Sequence, residues 1–198
     1  MLLEIVTGIF WAVGLYLLVD FIAGFFHWAE DTLGTPETPI WGQTFVAPNV
    51  LHHNAPLEMN KIHWFRNSLP IYLICIAVLG VAWLTDSLGW KVWFFAFVGL
   101  FAQQTHRWSH TPRKALPRLV VFLQRLKILQ DAKHHYKHHR ADHSTHFCVG
   151  TPWLNPILDR FGVWKFLERM LVPVFGAPRR PDLDDKTWYN DRAFYSRQ

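Results

Sequence analysis

Cysteine is scarce in this 198-residue chain: Cys75 sits in an apolar run and Cys148 in a polar one, with no CxxC pair. Two such residues exclude a disulfide framework and a thiolate metal or redox cluster. Charge is thin as well, with Asp, Glu, Lys and Arg at 18% of residues while 51% are apolar. Typical soluble domains carry about 25% charged residues, so a disordered chain is excluded and a membrane protein or a very apolar core is indicated. No GxGxxG stretch is present, which removes the nucleotide fingerprint of flavin and nicotinamide enzymes. The opening Met-Leu-Leu-Glu has neither a basic stretch nor a small-residue cleavage signal, so the apolar segment behind it is expected to stay as an anchor. What the chain has in plenty is histidine, twelve residues, and tryptophan, eleven. Imidazole is the commonest metal ligand and indole collects at membrane interfaces, so these two residue types set the expectations.

The length fits one domain, placed here at 1–176 and followed by a polar tail at 177–198. Leu2 to Phe26 is long and apolar enough for a membrane-crossing helix. Residues 69–84 and 92–105 are two shorter apolar runs separated by Thr85-Asp86-Ser87-Leu88-Gly89. A single helix through both would bury Asp86 and Lys91 in hydrocarbon, so a helical hairpin turning at 85–89 is expected. The fold class is therefore an all-α integral membrane protein with about three transmembrane helices. Residues 27–68 read as an ordered loop with short helices, punctuated by Pro36, Pro39, Pro48 and Pro56. Stretches 116–129 and 155–174 mix large apolar side chains with Arg and Lys, as helices lying in the headgroup layer do. Residues 106–146 carry nine Lys and Arg against two acids, which assigns that face to the cytoplasm of a bacterial inner membrane or an endoplasmic reticulum. Three crossings then put every histidine on that one face.

His106 and His110 stand four residues apart, as do His134 with His138 and His135 with His139. That spacing aligns imidazoles on one helical face and lets a pair grip one ion. His143, His27, His52 and His53 add further nitrogens, more than one tetrahedral ion needs, so two metal ions are expected. An all-nitrogen set suits Zn, Cu, Fe or Ni alike. Asp20, two turns before His27, and Asp31, one turn after it, are candidates to accept the second N–H of a ligand imidazole, with Glu30 and Gln104 as weaker ones. Rival readings are a histidine-rich metal transporter or sensor, which would need ionisable groups along its crossings, and a non-enzymatic helix bundle, which leaves the co-facial pairs without a purpose.

The order Asp20-Phe21-Ile22-Ala23-Gly24-Phe25-Phe26-His27-Trp28-Ala29-Glu30-Asp31, then His52-His53, Gln104-Thr105-His106-Arg107-Trp108-Ser109-His110, the 134–143 cluster, Phe147-Cys148 and Trp153-Leu154-Asn155-Pro156 resembles the Kua-type lipid desaturases. The resemblance covers roughly residues 15–170. It implies a membrane enzyme whose two iron ions activate O2 to dehydrogenate a phospholipid-linked chain, foremost by forming the vinyl ether bond of plasmalogens. Acyl desaturation or hydroxylation on the same site is the alternative. His27, His52, His53, His106, His110, His134, His135, His138, His139 and His143 are carried over as metal ligands, with Asp20, Asp31, His63 and Gln104 around them. His146 falls where the family pattern is aromatic and is left out. The chain departs from the pattern at Asn54-Ala55-Pro56, where the family has Asp-Pro, and at Asp142, where it has Pro. Electrons are expected from a partner of the cytochrome b5 or ferredoxin type, docked with anionic headgroups on the basic surface, and no nucleic acid is involved.

Overall fold

The computed structural model describes residues 1–140 and 143–175, so the expected tail at 177–198 and the departure at Asp142 lie outside the described residues. The longest element, α1, runs Leu2–Thr32 without a proline and ends where Leu33 turns extended and Gly34 takes φ +84°. A second helical rod begins with the π-helical turn Gly42–Val46 and continues as α2, Ala47–Asn54. Pro56 stops it and opens the 3-10 turn Pro56–Lys61. The hairpin follows as α3, Trp64–Leu84, and α4, Trp90–Ser109. Its turn falls at the expected 85–89, closed by the Thr85 hydroxyl donating 2.8 Å to the Val81 carbonyl.

The remaining helices are short: α5 Arg118–Arg125, α6 Ala132–His135, α7 Leu154–Arg160 and α8 Val163–Phe175. Of these, α5, α7 and α8 fall on the stretches expected to be interfacial, with apolar side chains such as Leu119, Phe122, Ile157 and Phe166 left exposed beside Arg and Lys, while α6 lies outside them. No strand occurs among the described residues.

α4 is the centre of the bundle, antiparallel to α3 and packed on α1. Val19, Ile71, Tyr72, Cys75, Phe95, Ala96 and Ala102 form the core between them. The α3–α4 contact depends on Gly99, whose missing Cβ would stand 2.5 Å from Cys75 Sγ. Away from that seam the helices turn large apolar groups outward, including Leu2, Ile9, Phe10, Ile76, Val81, Trp83, Trp93 and Phe97. Water is a poor solvent for so broad an apolar surface, and lipid is a good one. α1 and α3 are each long and apolar enough to cross a membrane. α4 carries Gln103, Gln104, His106 and Arg107 in its last two turns and does not qualify by composition alone.

Chain direction gathers the histidines at one end of the bundle. The C-terminal end of α1, all of α2, the start of α3 and the C-terminal end of α4 meet there, under a strap formed by residues 143–151. Gly24 makes room for the strap: a Cβ at this position would lie 2.7 Å from Cys148 Sγ and 3.0 Å from its backbone. Asp20, fully buried, pins the strap by accepting the amides of Gly150 at 2.6 Å and Thr151 at 2.8 Å. Asp20 therefore does not receive an imidazole N–H as the sequence suggested. Seven residues of helix separate it from His27 by about 10 Å, the right face but two turns too far. Changing Asp20 to Ala strands two buried amides and is expected to cost about 3 kcal/mol of stability. The check is the thermal unfolding midpoint in detergent, which should fall markedly in D20A even where metal content per folded chain is kept.

Candidate metal centre

Nine of the twelve histidines are buried: His27, His52, His53, His106, His110, His135, His138, His139 and His143. Each arrives by a local device. His52 and His53 sit in the last turn of α2, and the 3-10 turn behind them is tied to α4 by the Arg107 guanidinium donating to the Asn60 carbonyl. His106 and His110 share a face at the end of α4. Asp131 caps α6 by accepting the His134 amide at 2.8 Å, and the chain then turns after His135 so that His135, His138 and His139 all point inward.

The nitrogens converge in a way that hydrogen bonds cannot satisfy, because one ring nitrogen has a single proton or a single lone pair to offer and cannot serve three others at once. His135 Nε2 lies 2.9 Å from His106 Nε2, 2.9 Å from His110 Nε2 and 3.1 Å from His139 Nε2, and His106 and His110 are 3.2 Å apart. With metal–nitrogen bonds of about 2.1 Å, ligands at right angles to one another stand about 3.0 Å apart, and tetrahedral ligands about 3.4 Å. The observed edges are those of a coordination polyhedron.

Two four-membered groups emerge, each with its donor atoms within 4.8 Å of one another: His52, His110, His135 and His139, and His27, Asp31, His53 and His138. His106 groups with His27 and His52, one from each set, and His143 likewise groups with His53 and His139. The second group contains the one carboxylate. Asp31 lies 2.9 Å from His53 Nε2, 3.2 Å from His138 Nε2 and 3.9 Å from His27 Nε2.

The outer nitrogens fix which way each ring faces. His27 Nδ1 donates to the Phe147 carbonyl at 3.1 Å, His52 Nδ1 to the Asn49 carbonyl at 2.6 Å and His138 Nδ1 to the Thr145 carbonyl at 2.8 Å. A carbonyl can only accept, so Nδ1 carries the proton in all three and the Nε2 lone pair faces the interior. Nε2 of His27 and of His52 is buried without a hydrogen-bond partner. His138 Nε2 presents its lone pair to a carboxylate oxygen, an arrangement that repels unless a cation lies between them. The donor set fits two bound metal ions.

Burial among other imidazoles holds His53, His110, His135 and His139 well below the usual histidine range and brings His52 down to about 3. Neutral imidazole is the ligating form, so the centre is poised for metal at neutral pH. The unfolded chain binds protons below about 6.5 that the folded centre refuses, so stability is full above that pH and lost as pH falls toward 3. Acidification from pH 7.5 to 4.5 is expected to lower the unfolding midpoint and release metal together, as thermal scans and metal analysis of the same samples can show. A flat profile would contradict this.

Four sequence expectations change at this point. His134 turns away from both groups, half-buried, with Nε2 3.2 Å from Asn155 Nδ2 and its ring beside His146. His63 precedes α3, exposed and outside the centre. Gln104 is replaced by Gln103, whose Oε1 lies 3.2 Å from His106 Nδ1. Residues i and i+3 share a helix face while i and i+2 do not, which is why 103 and not 104 meets His106. Asp31 moves from supporting a ligand to standing among the donor atoms. His146, set aside in the sequence, is half-buried outside both groups and pairs with Asp159 at 2.8 Å.

The sequence did not single out Asn49, whose side chain donates to Asp31 while its carbonyl holds His52. Its signal was there, a polar residue three and four positions before the His52-His53 pair. Asn155 was seen only as part of a motif. It is fully buried and bonds both the amide and the carbonyl of Cys148, fixing the strap that holds His27. Burial pushes the Cys148 thiol well above its usual range, so it offers no thiolate to the centre.

Residues 16–182 match the family described as the lipid desaturase domain. The chain is 33% identical over 184 residues to plasmanylethanolamine desaturase 1 of Mus musculus, covering 87% of this chain and 67% of the mouse protein. Fatty acid desaturase 4, chloroplastic, of Arabidopsis thaliana is 30% identical over 188 residues, covering 92% of this chain and 58% of the plant protein. Plasmanylethanolamine desaturase of Myxococcus xanthus is 30% identical over 181 residues, covering 85% and 62%. The chain thus spans less than two thirds of the length of the plant and bacterial relatives. No solved structure matches it.

Proposed function

Because the chain belongs to the Kua-type lipid desaturase family, we propose that it is a three-crossing membrane enzyme that uses two iron ions and O2 to dehydrogenate a phospholipid-linked chain, foremost the alkyl-ether chain of a plasmanylethanolamine. The observation that carries this reading is the pair of buried donor groups, one of four imidazoles and one of three imidazoles with Asp31. Iron in such a centre supplies the oxidising power that acid–base side chains lack toward unactivated carbon. The overall change removes two hydrogens from adjacent carbons and, with O2, two electrons and two protons from outside, yields the alkene and two waters.

The residues supply the rest. Asn49, Thr145 and Phe147 hold three rings in one tautomer through their carbonyls, and Asp31 offsets positive charge as the one carboxylate grouped with the imidazoles among the described residues. An apolar cavity of about 270 Å³ lies between α1, α4 and α5, lined by Tyr16, Ala23, Phe97, Phe101, Ala102 and Thr105. Ala23 and Ala102 stand one helical turn before His27 and His106, so a hydrocarbon chain in this cavity ends beside the centre. The chain has no flavin or iron–sulfur motif, so the electrons come from a separate carrier of the cytochrome b5 or ferredoxin type. The basic surface, on the cytoplasmic side in this reading, suits an acidic partner.

A second reading, acyl desaturation on a phospholipid, draws on the similarity to the chloroplast desaturase. Expression in a host supplied with alkyl-acyl ethanolamine phospholipid separates the two. Acid-labile aldehyde release, the mark of a vinyl ether, supports the first reading. New acyl double bonds without aldehyde support the second, and neither product in iron-replete membranes with a competent reductant overturns both.

A further inference from the structure

The apolar cavity has room for a chain but nothing for a headgroup: its walls are apolar except for the buried Asp20, the hydroxyls of Tyr16 and Thr105 and the ring nitrogen of Trp108. A separate polar cleft is lined by His52 and His106, so it touches the donor groups directly, and the Glu30 carboxylate lines it as well. At its mouth stand Arg66 and Asn67, in the first turn of α3. Arg66 is exposed, and among the described residues no carboxylate lies within ion-pair distance of it. Asn67 Nδ2 is buried and has no hydrogen-bond partner. No side chain caps the start of α3, so the helix that carries Arg66 and Asn67 leaves its first amides and the positive end of its dipole open. Glu30 has an interaction of its own, while the guanidinium without an ion pair, the amide nitrogen without a partner and the uncapped helix start are each able to meet an anion.

We propose that this cleft is where the substrate's phosphodiester docks, with Arg66 pairing one non-bridging oxygen and Asn67 donating to the other. The inference rests on the lipid desaturase reading and adds to it the means of recognising a phospholipid. The cleft interior is about 30 Å³, which admits an oxygen or two and keeps the rest of the headgroup at the mouth. Arg suits this task because its planar fork meets phosphate bidentately. Bond count makes the location meaningful. In an ether phospholipid the carbons next to the ether oxygen are only a few bonds from the phosphate, so the phosphate contact has to adjoin the metal ligands, as it does through His52 and His106. The basic surface around Arg113, Arg125 and Lys133 lies on another groove, against α5 and α6, and touches none of the grouped histidines.

The test uses metal-loaded, lipid-depleted full-length protein in detergent and reads the thermal shift caused by an alkyl-acyl phosphatidylethanolamine and by the matched alkyl-acylglycerol that lacks phosphate. Wild-type protein is expected to bind the phospholipid at least tenfold more tightly, the scale of one charge-assisted hydrogen bond. Arg66→Gln and Asn67→Ala should erase that preference with metal content unchanged, Arg66→Lys should keep part of it, and Arg125→Gln all of it. Retention of the full preference in Arg66→Gln, its loss in Arg125→Gln, or an equal shift from inorganic phosphate alone would overturn the proposal. Because binding is read without turnover, wild-type protein that prefers the phospholipid yet forms no double bond would count against the desaturase reading and leave the phosphate site standing.

Discussion

His135→Ala is expected to empty the all-imidazole group and to lower desaturase activity below about 1% of wild type. His135 Nε2 is the hub, within 3.1 Å of the Nε2 atoms of His106, His110 and His139, so its removal breaks these three near-contacts and leaves only His106 and His110 close to each other. Losing even an outer-shell partner of a ligand typically costs about 10- to 100-fold in metal affinity, so losing a ligand should cost at least about 100-fold. The adjacent His134→Ala supplies the contrast. Its ring faces Asn155 and His146, and both metal content and activity should survive. Metal analysis and product formation on the same two preparations decide the matter: equal losses in both variants would mean that the chain does not turn after His135 as described.

Asp31→Asn is expected to release one metal ion of two and to abolish turnover while the His52, His110, His135 and His139 group keeps its ion. The substitution preserves shape but removes the single carboxylate among the grouped donor atoms. It leaves His27, His53 and His138 facing a neutral amide, and an amide oxygen is a far weaker ligand for a divalent ion. The variant should also lose about 3 kcal/mol of stability, since Asp31 is buried and joined to Asn49 and His53. Metal stoichiometry near one per chain with a lowered unfolding midpoint is the predicted outcome. Two ions retained with normal turnover would remove Asp31 from the centre.

Much of this centre could be read before its shape was known. Helical periodicity announced the His106–His110 pair, and the break at Thr85–Gly89 announced the hairpin, because both depend on neighbours a few residues away. Asp20 shows the limit. The helix face was right, but its partners are the amides of Gly150 and Thr151, some 130 residues along the chain, and no local pattern carries that information. The tautomer locks are hidden for a different reason, since backbone carbonyls at Asn49, Thr145 and Phe147 have no side-chain signature. His134 was misjudged because four-residue spacing signals a shared face only where the helix continues, and α6 ends at His135. His143 could not be placed from spacing either: its φ of +43° is a conformation that side-chain-bearing residues rarely adopt, held where the strap brings it to His53 and His139.

In the proposed reading each of the two donor groups would hold one iron ion. That reading is tested most directly by metal analysis of the unaltered, detergent-purified protein grown with ample iron, combined with X-ray absorption at the iron edge. Two irons per chain, ligated by imidazole nitrogen and carboxylate oxygen with no sulfur, is the predicted result. Tightly held zinc alone, or a folded protein that binds no metal, would contradict it.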